Sequence, residues 1–177
     1  MNFRRVLSEL ATALAAGLCL GACGSDDEPS LSEIREFRAF PVYYSGDSVA
    51  GSSLREIYGD PEAHEDKSDT AWVLIYGKCK DPPDEGGCPP PLQIHSYSIC
   101  ARGADLRQNR LFDLRGAKAA RLMPGGGASL EIFTGRTTVS IHAENEDVLD
   151  AAVLALRNVR QEHPSSLPPP DPQCPPR

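Results

Sequence analysis

The residues of this chain best suited to chemistry are its 4 histidines and 6 cysteines, and their settings decide what chemistry is open to them. His95 and His142 each fall in stretches that read as strands. They could therefore meet across a sheet and, with an Asp or Glu from a loop, form an acid/base pair or a metal site. Alternation sets Leu92, Ile94 and Ser96 on one face and Gln93, His95 and Tyr97 on the other, which turns His95 partly away from the core. His142 opposes Ile141 in the same way. An isolated polar strand residue is the commoner origin of such a histidine, because no spacing here demands a ligand. His64 lies in Glu62-Ala63-His64-Glu65-Asp66, which reads as a solvated loop before it reads as a cation site.

Other groups offer less. Cys79, Cys88, Cys100 and Cys174 lack the C-x2-C pairs of zinc sites. There is no G-x-S-x-G elbow, and Ser45-Gly46-Asp47-Ser48 has no strand-to-helix setting for a nucleophile. Gly125-Gly126-Gly127 follows Pro124, lacks the Lys-Ser/Thr of a phosphate loop and leads into a strand. Tyr43, Tyr44, Trp72, Tyr76 and Tyr97 are the aromatic candidates for a sugar or peptide site. Adjacent strand residues face opposite ways, so at least one of Tyr43 and Tyr44 is expected at the surface or an edge. No metal and no cofactor is assigned.

The elements that must position these residues are legible from period and punctuation. Strands are expected over Arg38 to Tyr44 (with Pro41 marking an edge or bulge), Ser53 to Tyr58, Thr70 to Tyr76, Leu92 to Ile99 and Lys118 to Met123. Gly59 to Asp69 reads as an exposed loop, and Ala104 to Arg110 could form a helical turn. Leu130, Ile132 and Thr134, then Val139 and Ile141, alternate on either side of a turn at Gly135-Arg136, the mark of a hairpin. From Glu146 to Gln161 the period becomes helical, with Val148, Leu149, Ala152, Val153, Leu156 and Val159 on one face. Asn145 suits the N-cap, Arg157 and Arg160 suit the C-terminal end, and Pro164 marks the stop. The expected fold class is α+β: a small antiparallel sheet with one C-terminal amphipathic helix on one face.

The chain has 177 residues, 40% of them apolar and 24% charged, which suits one folded domain. Arg4 and Arg5 precede the uncharged run Leu10 to Leu20, which has the length of a secretory signal and is too short to span a bilayer about 30 Å thick. Leu20-Gly21-Ala22-Cys23 then resembles the lipobox of bacterial lipoprotein precursors. The resemblance covers only this N-terminal stretch. It implies cleavage before Cys23, lipidation of Cys23 and residence on the outer side of a membrane, the outer membrane included if the host has two. Acyl chains contribute about 0.8 kcal/mol per buried methylene, so two or more make such an anchor stable. Loss of residues 1–22, which carry Arg4, Arg5 and Glu9, shifts the formal charge from −7 to −8. An acidic surface without a basic cluster disfavours nucleic acid and a polybasic membrane patch.

Export also sets the fate of the remaining thiols. Four cysteines in an oxidising compartment imply two disulfides. Cys79 and Cys88 lie at the loop end of the hairpin formed by the strands around Trp72 and His95, whereas Cys100 lies past its far end, about 25 Å away at 3.3 Å per residue. That separation exceeds the span of a disulfide, which predicts Cys79–Cys88 and, by elimination, Cys100–Cys174. The domain plan is a signal peptide at 1–22, a lipidated cysteine and tether at 23–33 (with Gly24 to Ser32 disordered), one domain at 34–162 and a proline-rich tail at 163–177. Prolines give that tail a polyproline path and deny it helix or central strand. The functional expectation is a lipid-anchored, non-catalytic binding or interaction module of the cell envelope. The alternative is a small extracytoplasmic hydrolase or metal-dependent enzyme using the histidines with nearby carboxylates.

Overall fold

The computed structural model describes residues 30–60, 71–78, 89–98, 110–122 and 127–172. All of the cysteines fall outside these residues, so the Cys23 anchor and the Cys79–Cys88 and Cys100–Cys174 pairings do too, as do the signal peptide, His64 and almost all of the turn expected over Ala104 to Arg110. No helix among the described residues is long and apolar enough to cross a membrane.

The chain is an α+β fold dominated by an antiparallel sheet of eight strands. In chain order the elements are α1 (Leu31–Glu36), β1 (Tyr43–Tyr44), β2 (Ser48–Val49), β3 (Ser52–Tyr58), β4 (Ala71–Tyr76), β5 (Leu92–Ser98), β6 (Phe112–Leu114), β7 (Ala117–Leu122), β8 (Ala128–Thr134), β9 (Thr137–Ala143), α2 (Glu146–Ala155) and β10 (Arg157–Asn158). The large sheet runs β2-β3-β4-β5-β9-β8-β7-β6, and β1 pairs with β10 in a separate two-stranded ribbon. The hairpin expected around Trp72 and His95 is present, in register Ala71↔Tyr97 to Tyr76↔Leu92. So is the β8–β9 hairpin, which turns at Gly135-Arg136 with Gly135 at φ 52°. Lys118 to Leu122 form most of β7, between β6 and β8.

One face of the sheet carries the core. Trp72, Leu74 and Tyr76 on β4, Leu92 and Ile94 on β5, Val139 and Ile141 on β9 and Leu130 and Ile132 on β8 are all buried, with Ile34 of α1 and Val148, Leu149, Ala152 and Val153 of α2 in the same cluster. Phe37 anchors one end of it, edge-on to Phe40 and Trp72 at centroid distances of 4.9 and 5.5 Å. A Cβ on Gly59 would collide with the Trp72 indole, so the chain passes that ring only because the residue there is glycine.

Three expectations need correction. Arg38 to Tyr44 does not form a strand beyond Tyr43–Tyr44: Pro41 has no N–H for a ladder, its carbonyl accepts from Thr137 Oγ1 (2.7 Å), and Phe37, Phe40 and Val42 are buried by loop packing. The stretch expected to remain a tether through Ser32 instead enters α1, where Ser30 and Glu33 form a capping box and Ile34 is buried. The helix beginning at Glu146 is capped by Asn145 (Val148 N to Oδ1, 3.0 Å) but ends at Ala155, not Gln161. Leu156 turns extended at φ −60°, ψ 128°, so Leu156 and Val159 reach the core without helical turns, and Arg157–Asn158 pair with β1. The Arg115 guanidinium takes up the Val153 and Leu156 carbonyls at 2.8 and 2.9 Å, a C-terminal capping role expected of Arg157 and Arg160. The proline-rich tail packs against the domain: Leu167 is buried in the core and Pro170 bridges Gly135 in parallel.

Candidate functional site

The second face of the sheet differs in kind from the first. Three rows of side chains cross it, fixed by the ladder registers. Ile75, Gln93, His142, Ser129 and Leu122 form one row, Val73, His95, Ser140, Glu131 and Ala120 the next, and Ala71, Tyr97, Thr138, Phe133 and Lys118 the third. Successive strand residues point to opposite faces, so each row is the complement of a core row.

His95 and His142 lie on neighbouring strands in adjacent rows, their rings edge-on at a centroid distance of 5.3 Å. The sequence left this meeting open as an option and favoured isolated polar strand residues; the structure brings the two rings together. His95 Nε2 lies 3.1 Å from Gln93 Oε1 and Nδ1 lies 2.8 Å from the Tyr97 hydroxyl. An amide oxygen only accepts, so Nε2 carries the proton and Nδ1 accepts from the phenol: a fixed neutral tautomer. Burial, aided by the neighbouring His142, pushes His95 down to about 4, and burial lowers His142 as well. Tyr97 is raised by burial and by the Glu131 charge, which keeps it a donor.

His142 Nδ1 lies 2.9 Å from Ser129 Oγ. His142 Nε2 is then the one nitrogen of the imidazole pair without a hydrogen-bond partner among the described residues. Glu131, buried at 4% exposure, accepts from Ser140 Oγ at 3.2 Å. It comes from a neighbouring strand, not from a loop as the sequence reading supposed.

Ser129 and His142 resemble a nucleophile and its base, but Ser129 is 4% exposed and faces His142 from directly across the β8–β9 ladder. That ladder consumes the strand N–H groups that an oxyanion hole would need. No group of three or more His, Cys, Asp or Glu among the described residues is placed to hold a metal ion. No family model, curated protein or solved structure matches the chain.

The aromatic expectation is corrected. Tyr43 and Tyr44 are both buried, because β1 is only two residues long and lies between the large sheet and β10: Tyr43 N donates to Ser96 Oγ (3.1 Å) and Arg157 stacks over Tyr44 at 4.7 Å. Trp72 and Tyr76 are core residues, the Tyr76 hydroxyl accepting from Ser45 N at 3.1 Å. Tyr97 alone of the five belongs to the polar face. Ser45 is structural, its hydroxyl donating to the Ala152 carbonyl at 2.8 Å. Gly127, at φ 103°, precedes β8 beside the Ala143 carbonyl, where a side chain would not fit; Gly125 and Gly126 lie outside the described residues.

Sequence reading missed Gln93, Ser129, Glu131 and Ser140 as members of the site. A signal for three of them exists: a two-residue turn at Gly135-Arg136 fixes the hairpin register, which pairs Ser129 with His142 and Glu131 with Ser140.

Proposed function

We propose that the protein is a lipid-anchored, extracytoplasmic binding module of a bacterial envelope, recognising a neutral polar ligand at the His95–His142 face of its sheet. The observation that carries the ligand reading is the His142 Nε2, which has no hydrogen-bond partner among the described residues beside an imidazole whose two nitrogens are both engaged. Two neutral imidazoles held by Gln93, Tyr97 and Ser129 form a rigid hydrogen-bonding surface that a hydroxyl or amide can complete without displacing a bond already made. Anchoring at Cys23 is supported by the lipobox-like Leu20-Gly21-Ala22-Cys23. Disulfides Cys79–Cys88 and Cys100–Cys174 complete the reading, supported by the β4–β5 hairpin, whose loop end has Tyr76 opposite Leu92.

Imidazole nitrogen NMR tests the ligand site directly. Soluble N-acetylated oligosaccharides, which offer both hydroxyl and amide groups, should shift the His142 Nε2 resonance and leave His95 nearly unmoved, and His142→Phe should abolish saturation. A His142 resonance unchanged at saturating sugar overturns the ligand reading. Palmitate labelling tests the anchor separately: label should enter the wild type and not Cys23→Ala.

A further inference from the structure

The tail from Ser165 to Asp171 lies along two turns of the sheet, and its contacts have the character of a bound peptide. Leu167 is the anchor, buried in the core cluster at 4% exposure, while Pro168 and Pro169 beside it are exposed. Its N–H donates to the Arg115 carbonyl at 2.8 Å. Next, the Pro168 carbonyl accepts from Thr134 Oγ1 at 2.8 Å and the Pro169 carbonyl from Gly135 N at 3.0 Å. Asp171 N then donates to the Gly135 carbonyl at 2.8 Å. The three prolines have no N–H to satisfy, and the two flanking residues that do have one each find an acceptor. Arg115 also reaches the Ser165 carbonyl with its guanidinium.

The receiving surface is shaped for this path. Arg115 and Gly116 both have positive φ (53° and 100°) in the turn between β6 and β7. A Cβ on Gly116 would come within 2.7 Å of the Leu167 carbonyl oxygen, so the approach of the tail requires glycine there. Behind the tail, residues 160–166 are all exposed, which leaves the docked segment joined to the body by a solvated connection. Proline-rich segments suit exchangeable recognition, since their polyproline conformation is largely set before binding and costs little entropy to dock.

We propose that the cleft between the Arg115-Gly116 and Gly135-Arg136 turns is a recognition site for an extended peptide of the pattern Leu-Pro-Pro-Pro followed by a residue with a free N–H, and that residues 165–171 occupy it in cis as a competing ligand. The partner is a proline-rich segment of another protein that displaces the tail. This goes beyond the ligand site at His142 and shares no residue with it, so either can fail alone.

Fluorescence anisotropy with a labelled Ser-Ser-Leu-Pro-Pro-Pro-Asp peptide tests it on the full chain. The tethered tail competes at an effective concentration on the order of millimolar, so the wild type should bind weakly. Leu167→Asp, which expels the tail, should bind the peptide at least tenfold more tightly, and adding Gly116→Ala should remove that gain. A folded Leu167→Asp chain that ignores the peptide overturns the proposal. Hydrogen exchange on the unaltered chain covers the case in which that variant does not fold: excess peptide should speed exchange of the Leu167 and Asp171 amides, and unchanged rates at both overturn it equally. A wild-type dimer that the peptide dissolves would instead assign the cleft to a second copy's tail and overturn the assignment to another protein.

Discussion

The two faces of the same sheet bury side chains by different rules. On the core face Trp72, Leu74, Ile94, Ile132 and Ile141 exclude water through apolar contact, under α1, α2 and the β1–β10 ribbon. On the other, Ser129, Glu131, Thr138 and Ser140 are as deeply buried, yet they carry polar atoms: Ser129 meets the His142 imidazole and Ser140 donates to Glu131. Burial of polar groups costs free energy unless each finds a partner, so the second face is retained at a stability cost that the first face offsets.

Mutations on the two faces should therefore differ in size and in kind. Trp72→Ala, which empties the space between Phe37 and Gly59, should cost about 3–5 kcal/mol in denaturant unfolding. A loss no larger than that of a polar-face variant would break the contrast. On the second face, Ser140→Ala removes a donor from the buried Glu131 carboxylate and should cost about 1–3 kcal/mol. Thermal melts that cannot tell it from wild type would mean the hydrogen bond has no net weight. Asn145→Ala deletes the cap of α2 above the core face, for about 1 kcal/mol, with hydrogen exchange at Val148 rising first.

Smallest at neutral pH, but growing on acidification, is the effect of the histidine pair. His95 titrates near 6.5 when unfolded and at about 4 when folded, so between those values the unfolded chain binds more protons. The His95 contribution should be fully present above pH 6.5, decline as the pH falls towards about 4 and level off below. Melting temperatures of wild type and His95→Gln across that window should diverge, the variant declining less. Parallel profiles would sharpen the comparison against us, by showing that the second face does not feel the charge.

What the sequence disclosed follows from range. Local devices were readable: the Gly135-Arg136 turn, the Asn145 cap, and the alternation that sets Gln93, His95 and Tyr97 on one face. The meeting of β5 with β9 is legible only as an option, because their pairing joins residues 39 to 51 positions apart and no turn fixes its register. Helical period misled beyond Ala155, since Leu156 and Val159 satisfy a burial pattern that an extended chain satisfies equally well. Tyr43 and Tyr44 misled for the converse reason: the rule of opposite faces assumes a strand with one wet side, and here Arg157 and the sheet close both.

The rims of the large sheet carry a last consequence. One rim has the two-residue β2 and, on β3, a register shift between Leu54 and Glu56 beside the charged Arg55; the other ends in the three-residue β6, whose Asp113 pairs with Lys118 at 2.7 Å. Unpaired strand borders are where chains stack on one another into aggregates, and brevity, irregularity and charge are what discourage it. Encounters between copies of this chain find little to template on these borders.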